Sequence, residues 1–174
     1  MANSHPSIKG ANMMNSIQSM RRGLCAGLGL MALSACAKSP GPAMNSITEI
    51  SIERDCSGCA NGSLLVLRSD GTATLTQVGK VRLGTADSAS RGTLRREDFD
   101  ALARLAQSKG FFEMQDSYED PEVQDGAWVT TRVLRGTQDK RVMRREAVGP
   151  AGLKQLEAAI AALQARIGFT PDRR

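Results

Sequence analysis

Histidine is almost missing from this sequence. His5 is the only one in 174 residues, and it stands ahead of Gly23 to Ala35, a segment with no charged residue. That apolar run is 13 residues long, short of the roughly 20 helical residues needed to cross a hydrocarbon core. With Arg21 and Arg22 before it and Ser34 and Ala35 closing it, the run reads as a secretory signal that is cleaved, so residues 1–35 form a leader. The expected mature chain then contains no histidine. This excludes Ser-His and Cys-His triads, imidazole zinc sites and axial haem histidines together. A strong excess of one charge is lacking too. Of the formal +5, the leader carries three of the 23 bases and none of the 18 acids, which leaves +2 and implies no nucleic-acid partner. Repeats and low-complexity stretches are also absent.

Before the signal, Met1 to Ser19 holds Lys9 as its only charge and shows no apolar period. Met14 and Met20 lie closer to Arg21, and one of them is the expected true start. No Phe-Leu-Lys pattern follows the two arginines, which favours the general secretory route over twin-arginine export. Leu33-Ser34-Ala35-Cys36 resembles the lipobox of bacterial lipoproteins. The resemblance implies that Cys36 is lipidated, that the preceding peptide is removed and that the new amine is acylated. Two or more acyl chains hold a protein stably on a membrane where one does not. Ala37 after the cysteine, in place of Asp, implies the outer membrane in a two-membrane envelope and an outward-facing anchor in a one-membrane envelope. Ala37 to Asn45, AKSPGPAMN, reads as a tether reaching on the order of 30 Å. Residues 36–45 are therefore lipid and linker, and the 139 residues from Cys36 onward fit one domain.

Order is expected from Ser46. Ile47 to Arg54 alternates Thr48, Ile50 and Ile52 against Glu49, Ser51 and Glu53, the period of a half-buried strand. Leu64 to Leu67 is apolar without alternation, which predicts a strand covered on both faces. Asp70-Gly71 marks a two-residue hairpin leading to a strand over Thr72 to Val78. Val81 to Leu83 predicts a short fourth strand, and Gly84 to Gly92 reads as loop. Leu94 to Lys109 carries Phe99, Leu102, Ala103 and Ala106 at helical spacing and closes at Gly110, after which one or both of Phe111 and Phe112 are expected to plug the core. Glu113 to Gly126 reads as an acidic loop. Strands follow over Ala127 to Arg135 and Arg141 to Val148, then a helix from Pro150 with Leu153, Leu156, Ile160, Leu163 and Ile167 on one stripe. A globular unit over 46–168 is followed by a frayed tail at 169–174. The order β-β-β-β-α-β-β-α predicts an α+β fold, an antiparallel sheet with two helices packed on one face.

Arg54 to Leu67, Asp70-Gly71-Thr72, Gly110-Phe111-Phe112 and Asp116-Ser117-Tyr118, in that order, resemble a bacterial family known as domain of unknown function 6438. The likeness runs from about Ile47 to Ile167. The family usually has one more residue between its cysteines and a Pro-aromatic pair after them, where this chain has Ala60 after Cys59. It implies no activity, since the family has none assigned.

With Cys25 in the leader and Cys36 acylated, Cys56 and Cys59 form an even pair in an oxidising compartment, expected as a structural disulfide. The same Cys-Ser-Gly-Cys spacing suits a thiol-disulfide oxidoreductase, although such motifs normally open a helix and here Asn61-Gly62 and a strand follow. A zinc or iron-sulfur site lacks a second cysteine pair, and c-type haem attachment needs a histidine where Ala60 stands. Asp116, Glu119, Asp120 and Asp125, with Glu113 and Glu122, read as a solvated loop, the alternatives being a calcium site or the carboxylate pair of a glycoside hydrolase. Arg132, Arg135, Lys140, Arg141, Arg144 and Arg145 read either as a guarded sheet edge or as a surface for an acidic partner. Trp128, the only tryptophan, is either core or contact anchor. The resulting expectation is a non-catalytic, lipid-anchored domain at the outer membrane, facing the periplasm, that binds or stabilises an envelope protein or the anionic groups of peptidoglycan or lipid A. No cofactor is expected.

Overall fold

In a computed structural model the described residues are 46–123 and 125–172, so the leader, Cys36 and the tether lie outside them. Among these residues, β1 (Ile47–Cys56), β2 (Gly62–Arg68), β3 (Thr72–Val78) and β4 (Ser88–Thr93) precede α1 (Arg96–Ser108). Then come β5 (Ser117–Tyr118), β6 (Ala127–Arg135), β7 (Gln138–Arg145), α2 (Ala151–Gln164) and β8 (Thr170–Pro171). The strands form one sheet in the order β5-β7-β6-β1-β2-β3-β4-β8. Every pairing is antiparallel except β5 with β7, which makes the fold α+β with a mixed, mostly antiparallel sheet.

The core follows from the two periods. Ile50 and Ile52 of β1, Leu65 and Leu67 of β2, Val133 of β6 and Val142 of β7 are fully or almost fully buried and share one cluster with the apolar stripes of both helices. Those stripes are Phe99, Leu102 and Ala106 on α1 and Leu153, Leu156, Ile160 and Leu163 on α2. Each such side chain contributes about 1.5–3 kcal/mol by leaving water. The β2–β3 hairpin forms around Asp70-Gly71, but its loop is the three residues Ser69, Asp70 and Gly71 in place of the expected two: Asp70 Oδ1 accepts from the Thr72 N–H at 2.9 Å, and Gly71 takes a φ of 91° that a side chain disfavours. Phe111 is fully buried, while Phe112 lies edge-on to it with the Arg135 guanidinium 3.7 Å above its ring.

Several expectations are corrected. Val81–Leu83 is a 3-10 turn in place of a strand, with Val81 96% exposed, because the loop closes on itself through Leu83 and Thr85 N–H groups donating to the Lys80 carbonyl. The fourth strand is Ser88–Thr93, which takes in the second half of the Gly84 to Gly92 segment read as loop and runs one residue past it. It carries no apolar alternation because a Cβ at Gly92 would come within 2.4 Å of Ile167 Cγ2. Leu64 and Val66 are half-buried on the face away from the helices, so β2 is covered on one face only. The acidic loop contains β5, and the tail beyond Gly168 contains β8, which pairs with Ser90 and Arg91 instead of fraying.

Candidate binding surfaces

The turn between β1 and β2 is closed by a Cys56–Cys59 disulfide with a Cα separation of 5.2 Å. The loop before β4 braces it: Lys80 Nζ donates to the Cys56 carbonyl at 2.8 Å and Arg82 Nη2 to the Ser57 carbonyl at 2.8 Å. Lys80 also pairs with Asp55 at 2.8 Å. Burial works to raise the Asp55 carboxyl, but hydrogen bonds from Lys80 and the Cys56 N–H outweigh it and hold the group below the usual carboxylate range. The two cysteines thus bracket a pinned turn that passes into a strand, without the helix N-terminus that activates a redox thiol.

Because side chains alternate across a strand, the sheet has a second face with no helix on it. One cross-strand row on that face runs Arg141, Arg132, Ser51, Val66, Thr74, Arg91, through β7, β6, β1, β2, β3 and β4. Five strand spacings put its outer arginines about 24 Å apart. Between them lies a hollow of about 180 Å³ floored by Ser51, Leu64 and Val66 and rimmed by Glu49, Arg132 and Arg141. Trp128 sits on the same face, opposite Arg145 in register, half-buried and outside the core cluster.

The six basic residues divide between the two faces. Arg132, Arg141 and Arg145 share the bare face, while Arg135, Lys140 and Arg144 alternate with them on the helix side. Most are engaged within the fold. Arg132 pairs with Glu49 at 2.8 Å and Asp139 at 2.7 Å, and Lys140 with Asp116 at 2.6 Å. Arg145 pairs with Glu119 at 3.0 Å, and Arg135 donates to Gln138 at 2.8 Å. Arg141 is the looser one, 66% exposed and 4.0 Å from Asp139. The acidic candidates do not converge either: Asp120 accepts from the Glu122 N–H at 3.0 Å, Asp125 is exposed, and no three metal-ligating side chains cluster among the described residues.

Sequence reasoning passed over Arg54. It continues the inward phase of Ile50 and Ile52 on β1 and lies beside Val129, which in turn pairs with Arg144. Arg144 fixes Glu157 of α2: its Nε lies 3.0 and 2.8 Å from the two carboxylate oxygens and its Nη2 2.6 Å from one of them. Burial lowers the Arg54 guanidinium from its ordinary value; Glu157 pulls it back up and Arg144 pushes it down again. The signal available in the sequence was the phase itself, a charged residue where an apolar one is due.

Compared with models of known protein families and with curated proteins, the chain matches none.

Proposed function

We propose that this chain is a non-catalytic, lipid-anchored domain of the bacterial envelope. In this reading acylated Cys36 holds it at the outer membrane facing the periplasm, and the bare sheet face docks an acidic envelope component. The carrying observation is that face: Trp128, Leu64 and Val66 lie half-buried without a helix over them, in a field whose end arginines stand about 24 Å apart. A span of that width suits an extended partner better than a small molecule. The helix-free disulfide turn speaks against the alternative of a thiol-disulfide oxidoreductase using Cys56.

The test has two arms. Intact mass and fractionation of the cell-derived protein should show residues 1–35 lost, acyl mass gained and membrane residence, all abolished by Cys36→Ala; a full-length, unmodified cytosolic product sinks the anchor. Photo-crosslinking from position 141 to envelope proteins, with co-sedimentation on peptidoglycan and on lipid A vesicles, should give capture that Arg91→Glu with Arg141→Glu removes. The helix-side control Arg104→Glu should retain it. Capture that is equal in all three proteins removes the surface.

A further inference from the structure

On the other side of the sheet, beside the first turns of α2, lies an open cleft of about 530 Å³ lined by Arg54, Arg144, Glu146, Ala147, Lys154, Glu157 and Ala158, of which Glu146, Ala147, Lys154 and Ala158 are exposed. It holds three cations and two carboxylates. Both carboxylates are already engaged: Glu157 by Arg144 and, at 3.5 Å, by the Thr131 hydroxyl, and Glu146 Oε1 by the Ala127 N–H at 2.8 Å. Lys154 Nζ donates to the Ala147 carbonyl at 3.0 Å, and Arg144 Nη1 donates to the Glu146 carbonyl. Arg54 differs from them all. Its guanidinium donates no hydrogen bond and makes no ion pair to any described residue, although it is half-buried and faces the same cleft. A half-buried guanidinium whose donors meet only solvent stays free to take an acceptor that enters the cleft.

The cleft wall is also held in an uncommon conformation. Glu146 has a φ of 47°, the only non-glycine residue among those described with positive φ, and this turns its carbonyl onto Arg144. Backbone of this kind is costly and persists where the surroundings over-determine it. Here it clamps Arg144 on Glu157, and Arg54 is left as the fork with open donors.

We infer that this cleft binds a carboxylate carried on a short aliphatic stem, with Arg54 taking the carboxylate as a bidentate pair. The charge balance selects the class: three cations against two engaged carboxylates leave one positive charge, which matches a carboxylate and is too little for a phosphate dianion. The planar fork of arginine matches a planar carboxylate, and Ala147 and Ala158 supply the apolar wall for the stem. The site is independent of the bare-face docking proposal, since the sheet separates the two.

The experiment is a titration of the full chain in non-ionic detergent, following the arginine Nε–Hε NMR resonances, with N-acetylalanine, its uncharged amide and inorganic phosphate as probes. N-acetylalanine should shift the Arg54 resonance saturably, while the amide should leave it unmoved. Followed through the Nε–Hε resonance of Arg144, which lines the same site, Arg54→Lys should weaken binding about tenfold, because one ammonium cannot reproduce the fork, and Arg54→Gln should abolish it, the backbone spectrum of both variants staying native. Equal shifts from the amide, undiminished binding by a natively folded Arg54→Gln, tighter binding of phosphate, or no saturable shift in the native chain would each overturn the assignment.

Discussion

Single side chains set both the strong and the open points of this molecule. Arg144 and Glu157 form an ion pair whose side chains are only 17% and 7% exposed, with bonds on both carboxylate oxygens. Removing one partner from a buried pair leaves the other uncompensated, which outweighs the loss of the attraction itself. Glu157→Gln should therefore destabilise the domain by about 3 kcal/mol in urea unfolding, well beyond a surface change such as Glu122→Gln. A loss under about 0.5 kcal/mol would show that the pair is solvated in practice. At this scale the sequence was least readable. The basic run on β6 and β7 looked like one patch because its residues are neighbours along the chain, yet a period of two sends Arg144 under α2 and Arg145 onto the opposite face. Arg54 was hidden for the converse reason, since a single inward charge among isoleucines leaves no run to notice.

Among the elements, the long helices and β1 were legible because their apolar periods coincide with buried faces: Phe99, Leu102 and Ala106 on α1, Ile50 and Ile52 on β1; β2 showed only as an apolar run and β3 through the Asp70-Gly71 turn before it. β4 was not. Its sequence, SASRGT, is shaped by what packs on it, with Gly92 making room for Ile167, so neither alternation nor β-branched bulk marks it. β8 owes its existence to the neighbouring strand, two residues deciding nothing alone. The disulfide turn is the element whose stability depends most plainly on pH. Closing so small a loop contributes about 2 kcal/mol, and Asp55 adds a term of definite sign. Its folded carboxyl is depressed, so its stabilisation is fully present above the unfolded value near pH 4 and is lost as pH falls through the folded one. Hydrogen bonds from Thr72, Arg95 and Arg132 depress Asp70, Asp98 and Asp139 in the same direction. Asp55→Asn should flatten the acid limb of the unfolding free energy below about pH 4 relative to the native chain; an unchanged slope would remove Asp55 from the account.

For the whole molecule, the decisive arrangement is one sheet with unequal sides, helices over one and a charged, partly apolar field over the other. That asymmetry was legible as an α+β fold, whereas which residues share the bare side had to come from register. The sheet is also finished at both margins by strands of two residues, β5 beside β7 and β8 beside β4. Each caps part of its neighbour, β8 covering Ser90 and Arg91 of β4 and β5 covering Met143 and Arg144 of β7, which interrupts the edge open to another chain. Ending the chain at Phe169 removes β8 while keeping the Phe169 ring, which packs against the core. That variant should expose the outer edge of β4 and raise self-association in light scattering, with an unfolding midpoint only a few degrees lower. A fully monodisperse variant would show that β8 has no guarding role.

Those abbreviated margins matter most if the proteins stand shoulder to shoulder on a surface. Confinement to a plane multiplies encounters between identical copies, and long open borders would let them zip into ribbons. Borders interrupted partway by a capping pair of residues leave a lattice no continuous line to extend, so a crowded layer can stay a population of separate molecules.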